Sequence, residues 1–144
     1  MHNMEKNLKI KLLRPDAIIP TRKDGDVGYD LYACTIEKLD NGLLKVSTGI
    51  AVELPAGTWG KIECRSSLGA KGFDIHGGVI DNGYRGPIIC ILNHHTNSDP
   101  LTLISHGDKI AQLVIHDEKT YPIEVVEELS TTERGDKGFG STGR

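Results

Sequence analysis

Residues 59–64 read Trp-Gly-Lys-Ile-Glu-Cys, and this stretch decides the fold class. Gly60, Ile62 and Cys64 alternate with Trp59, Lys61 and Glu63, the period-two pattern of a strand with one face on a core and the other in water. Leu8, Ile10 and Leu12 alternate with Lys9 and Lys11 in the same way. Further candidate strands lie at 29–36, 44–54, 87–93, 101–104, 109–116 and 123–127. Both faces of 110–115 are largely apolar, so this strand is expected to be buried on two sides, a hint that one side packs against another subunit.

Seventeen glycines and six prolines, about one residue in six, interrupt most windows before a helix of average length completes itself. The one short helix expected is 66–71, with a serine near its N-terminus; 123–129 fits either strand or helix. Eight or so short strands separated by turn signals define an all-β protein of the sandwich or jelly-roll kind.

With 144 residues the chain is the size of one domain. No apolar run is long enough to span a bilayer, and the first residues lack a signal-peptide pattern, so a soluble intracellular protein is expected, with its compartment open. A net charge of −3 gives no global pull toward nucleic acid or membrane, so any polyanion must be held locally. Cys34, Cys64 and Cys90 show no CxxC spacing and are read as reduced, mostly buried residues. The six histidines form no metal motif and are read as structural. Residues 1–129 are expected to form the core. From Ser130 onward there is no aliphatic residue, so 130–144 is expected to be a flexible arm.

Five segments carry candidate chemistry. Asn82-Gly83 is the favoured pair for a two-residue hairpin turn with positive φ at both positions, which sets Asp81 and Tyr84 beside its tip. Arg65, Ser66 and Ser67 place a guanidinium and two hydroxyls at the start of the short helix, a combination suited to phosphate oxygens, or to a simple capped turn. Arg134 and 138–143 offer a charge, hydroxyls and flexible amides around Phe139, fitting either a phosphate-wrapping loop or a linker. Segments 26–31 and 107–113 lead from turns into strands and carry Asp30, Asp108 and Gln112; singly they read as turn caps and strand ends.

Taken together, DVGYDLYA (26–33), RSSLG (65–69), GVIDNGYRG (78–86), GDKIAQL (107–113) and RGDKGFGSTG (134–143) resemble the five motifs of the homotrimeric deoxyuridine triphosphatase (dUTPase) family. Two positions depart from the pattern: Cys64 stands where many relatives have proline, and Gly83 where many have aspartate. The resemblance implies a distorted jelly-roll, β-clip-like barrel and hydrolysis of dUTP to dUMP and pyrophosphate by water attack on the α-phosphorus, keeping uracil out of DNA and supplying dUMP for thymidylate synthesis.

It implies Asp81 as the water-activating base. It also implies Arg65, Ser66, Ser67 and Gln112 on the phosphates, and Gly78, Val79, Ile80 and Tyr84 around uracil and deoxyribose. Arg134, Ser141 and Thr142 would clasp the γ-phosphate, with Phe139 and Gly140 closing over the base. Magnesium would be held by the substrate phosphates, with Asp30 reaching it through water. The arm would close over a site shared among three subunits. The rival readings are a related dCTP deaminase and a trimeric nucleotide-binding regulatory protein.

Overall fold

A computed structural model describes residues 6–138. Nine strands and one short helix succeed one another: β1 (Lys9–Leu12), β2 (Tyr29–Tyr32), β3 (Thr35–Lys38), β4 (Leu44–Glu53), β5 (Thr58–Cys64), α1 (Ser66–Ala70), β6 (Phe73–His76), β7 (Val79–Ile80), β8 (Pro87–His94) and β9 (Lys109–Asp117). All pairings are antiparallel. One sheet runs β1-β4-β8-β6 with β3 also on β4; the other runs β2-β9-β5-β7.

The two sheets enclose a single core in which Leu31, Leu44, Val46, Ile50, Ile88, Leu92, Ile110 and Leu113 have no solvent exposure. The alternation read in β5 holds: Gly60 and Ile62 are buried while Lys61 is exposed. Strand β9 lies between β2 and β5, and Ile110, Ala111 and Leu113 are fully buried. Strand β1 is an edge strand, with Ile10 half-buried and Leu12 exposed. The cysteines are free; Cys34 and Cys90 are buried and Cys64 partly so.

Three sequence expectations are corrected. The continuous strand at 29–36 breaks at Ala33 and Cys34, where the chain changes sheet. The Ala33 N–H donates to the Asp108 carbonyl and the Cys34 N–H to that of Ser47, each at 2.8 Å. Residues 101–104 are not a strand: Pro100–Thr102 form a 3₁₀ turn whose first residue is proline, and the Asp99 carboxylate accepts the Leu101 N–H (3.1 Å). Residues 123–127 form neither strand nor helix, and Ile123 and Val125 are exposed; among the described residues no strand pairs with them, and a lone strand gains no ladder. The short helix expected at 66–71 is present as α1, with Ser66 at its first position and Arg65 at its N-cap without a side-chain cap bond. Among the described residues no helix is long and apolar enough to cross a membrane.

Candidate functional site

Two clefts hold most of the residues singled out in the sequence. The first, of about 400 Å³, is lined by Lys23, Gly28, Asp30, Arg65, Lys109 and Gln112, among others. Pairing of β2 with β9 sets Asp30 opposite Gln112, and pairing of β5 with β9 sets Cys64, the neighbour of Arg65, opposite Ala111. Asp30, four-fifths buried, accepts from the Arg65 guanidinium and lies 3.6 Å from the Lys109 ammonium. Arg65 Nε is buried and has no partner among the described residues. A buried donor left unpaired costs free energy, so this guanidinium is poised for an acceptor such as a phosphate oxygen. Lys23, Arg65 and Lys109 against the carboxylates of Asp26 and Asp30 leave the cleft with one net positive charge.

Ser66 is exposed on the first turn of α1. Ser67 lines a neighbouring recess of about 340 Å³ that shares Arg65 and Lys109 with the cationic cleft. Sequence reasoning assigned no role to Lys109 or Gly28, although both stand inside segments it singled out. Gly28 is buried directly against Gln112: a Cβ there would lie 2.1 Å from Oε1 and 3.0 Å from Cβ of that side chain. A glycine at 28 is what lets Gln112 occupy the cleft.

The second cleft, of about 230 Å³, is lined by Ile62, Gly78, Val79, Ile80, Asp81 and Tyr84, with Pro87 and Ile89. Gly78 has φ +116°, and a Cβ there would lie 2.9 Å from the Ile62 carbonyl oxygen. That close approach lets the Gly78 carbonyl accept the Ile62 N–H at 2.7 Å. Asp81 is exposed at the cleft mouth. Tyr84 donates through its hydroxyl to the Pro87 carbonyl (2.7 Å), and its ring lies where a side chain at Gly86 would be, with a Cβ there 2.6 Å from the hydroxyl oxygen.

The turn at 81–84 differs from the expected one. The Tyr84 N–H donates to the Asp81 carbonyl (3.0 Å), but Gly83 is not in the left-handed region. Strand β7 pairs with β5 and strand β8 with β4 and β6, so the turn joins two sheets. The strand twist that selects left-handed hairpin turns is absent. Asn82 acts through its side chain instead, donating to the carbonyls of Pro55 (3.0 Å) and Thr58 (2.8 Å).

The two clefts share no lining residue. Ile62 lines the second and Arg65, three residues further along, the first, a separation of roughly 10 Å at the usual rise of a strand. Arg134 is exposed beyond β9, where its guanidinium Nε donates to the Lys137 carbonyl (2.6 Å). Phe139, Gly140, Ser141 and Thr142 lie outside the described residues.

A cationic cleft with an unpaired guanidinium donor, and a separate cleft bearing a carboxylate and a tyrosine, define a β-protein equipped to hold a phosphorylated small molecule. Comparison with known proteins specifies it further. A family model described as dUTPase matches residues 15–143, and the chain belongs to that family. The deoxyuridine 5'-triphosphate nucleotidohydrolase of Paramecium bursaria Chlorella virus 1 is 42% identical, with 95% of this chain and 98% of the relative covered. That of monkeypox virus is 43% identical over 99% of this chain and 96% of its own. Among solved structures, the Staphylococcus bacteriophage 80alpha dUTPase with dUPNHPP superposes with a TM-score of 0.79 at 31% identity, covering 96% of this chain and 99% of that one.

Proposed function

We propose that this protein hydrolyses dUTP to dUMP and pyrophosphate, with the cationic cleft holding the triphosphate and the Gly78–Tyr84 cleft holding the nucleoside. The observation that carries this reading is the joint presence of the unpaired buried Arg65 Nε and of Asp81 beside Tyr84 in the second cleft. Relatives that share over 40% of their residues with this chain bear the name deoxyuridine 5'-triphosphate nucleotidohydrolase.

In this reading Arg65, Ser66, Ser67 and Gln112 hold phosphate oxygens and compensate the charge that builds as pyrophosphate departs. Asp81 orients the attacking water and takes its proton; the hydroxide oxygen bonds to the α-phosphorus while the bond to the bridging oxygen of pyrophosphate breaks. Uracil is read by the backbone of Gly78, Val79 and Ile80, which cytosine, with donor and acceptor exchanged, mismatches at about 1–3 kcal/mol per unpaired group. Tyr84 packs on the deoxyribose and leaves no room for a 2′-hydroxyl.

Asp30 is engaged by Arg65 and Lys109, and among the described residues the cleft presents no cluster of metal-ligating side chains. This donor set fits a magnesium ion held by the substrate's phosphates with Asp30 reaching it through water, the ion neutralising phosphate charge. A staphylococcal phage phi11 dUTPase variant coordinates a structural Mg(II) ion.

In this reading, by the family resemblance, the protein is a homotrimer with shared sites, in which the Asp81 cleft of one subunit faces the Arg65 cleft of another. The arm from 130 onward, with Arg134, Phe139, Gly140, Ser141 and Thr142, then closes over a neighbour's site and excludes bulk water. The test is pyrophosphate release with magnesium from dUTP, dCTP, dTTP and UTP, with the nucleoside products identified. Selective conversion of dUTP to dUMP is expected. Ammonia release from dCTP would move the protein to the deaminase branch, and silence on all four would refute the reading.

A further inference from the structure

Asp16, Cys34 and His106 come from three different connections: the loop after β1, the crossover between β2 and β3, and the loop before β9. One ligand-capable atom from each lies within 4.8 Å of the other two, and Cys34 Sγ is 3.4 Å from Asp16 Oδ1. None of the three lines either cleft described above. All three connections are tied to the sheets by backbone hydrogen bonds of 2.8 Å: the Leu13 N–H to the Gly49 carbonyl, the Cys34 N–H to that of Ser47, and the Gly107 N–H to that of Ala33. The triad therefore stands on fixed backbone, the condition under which a set of ligands keeps its geometry.

We propose that Asp16, Cys34 and His106 form a site for a borderline-soft divalent cation of the zinc type, with water as the fourth ligand. One sulfur, one imidazole nitrogen and one carboxylate oxygen are donors that zinc accepts together, whereas magnesium and calcium take oxygen almost exclusively. Thiolate and carboxylate balance the dication with the imidazole neutral, and the Arg14 guanidinium paired with Asp16 leaves one positive charge at the exposed rim. As the sulfur bonds to the cation, the thiol proton leaves to solvent.

The surroundings fit this role. Cys34 is only 7% exposed and is closed on one side by Gly49, where a Cβ would lie 3.1 Å from Sγ. The exposed Asp16 and His106 are left as the side of entry. Arg14 Nε donates to Asp16 Oδ1 at 3.0 Å, and the His106 ring sits 3.1 Å from the Cys34 carbonyl, contacts that orient ligands from behind. The sequence concealed the site because its members are 18 and 72 residues apart, far from any metal-motif spacing.

The experiment is a titration of the reduced full-length protein with Co²⁺ as an optical probe, followed by displacement with Zn²⁺. A thiolate-to-cobalt charge-transfer band saturating at one ion per chain and displaced by zinc is expected, absent in Cys34→Ser and weakened more than about tenfold in affinity by His106→Gln. No band in the parent, or a band that survives Cys34→Ser, overturns the proposal. Should Cys34→Ser fail to fold by circular dichroism, the exposed variants Asp16→Asn and His106→Gln decide. Unchanged cobalt affinity in both overturns it.

Discussion

Replacing Gly28 by alanine should cripple turnover while leaving the fold in place. The added Cβ would stand 2.1 Å from Gln112 Oε1, 2.9 Å from its Cδ and 3.0 Å from its Cβ. Contacts this short force a displacement, and the amide end, being the free end of the side chain, is what moves. Gly28 has no left-handed φ, so alanine adds no backbone strain. The remaining Cβ–Cβ crowding is a mild overpacking of about 1 kcal/mol, a fall in Tm of about 2–4 °C. Loss of the Gln112 amide from the phosphates removes a hydrogen bond to a charged group, about 1.5–3 kcal/mol, so kcat/KM for dUTP should drop roughly 10- to 150-fold. The assay is continuous pyrophosphate release, with Gly28→Ala, Gln112→Ala and the double variant measured side by side. Since both substitutions remove the same contact, the double variant should be no worse than the poorer single one. Wild-type kcat/KM in Gly28→Ala, or losses that simply add, would refute the reasoning.

Asp81→Asn should bind dUTP nearly as well as the parent but lose about 10²- to 10⁴-fold in kcat; near-normal turnover would remove Asp81 from its role. Mixing refolded Asp81→Asn and Arg65→Ala chains should restore about a quarter of parental activity, since random assembly pairs an intact Asp81 with an intact Arg65 across one interface in four. No recovery would place both groups in one chain's own site. Burial pushes the Cys90 thiol from 9.0 up to about 12. The folded protein therefore keeps a proton that the unfolded chain loses, and stability falls as pH rises above 9, by about 1 kcal/mol near pH 10. Urea midpoints of Cys90→Ala should show a shallower alkaline decline than the parent, and parallel slopes would count against the assignment.

What the sequence disclosed was whatever one strand or one turn determines by itself. The alternation in β5 and the two-sided apolar run in β9 follow from burial of those segments, so their side chains record it. The crossover at Ala33 and Cys34 carries no such record, because it is made by hydrogen bonds to Asp108 and Ser47, far along the chain. The stretch 101–104 is apolar enough to be a strand, but Pro100 and the Asp99 cap prevail locally. Asn82 and Gly83 were legible as a turn and misleading as to its type, since turn type depends on whether the flanking strands pair. Within the site, Arg65, Gln112 and Asp30 do converge, and Asp81 and Tyr84 share the second cleft. Gly28 and Gly86 escaped notice because what matters at each is a side chain from elsewhere that passes over it, Gln112 and Tyr84 respectively.

The two clefts differ in what they depend on. In the cleft proposed for the nucleoside, Gly78 can approach Ile62 only because it lacks a side chain, and Ile62 is itself a core residue. Its shape is thus fixed by the pairing of β5 with β7 and by the packing beneath, so substitutions that loosen Ile62 or Ile80 should blur base selection together with stability. The phosphate cleft is made of side chains at strand ends, with Lys109 and Gln112 half-buried or exposed on β9. Substitutions there spare the core and act on rate. On the proposed assignment, selectivity is tied to folding stability, whereas catalytic rate can vary without it. A destabilised variant should lose discrimination between dUTP and dCTP before it loses affinity for the triphosphate.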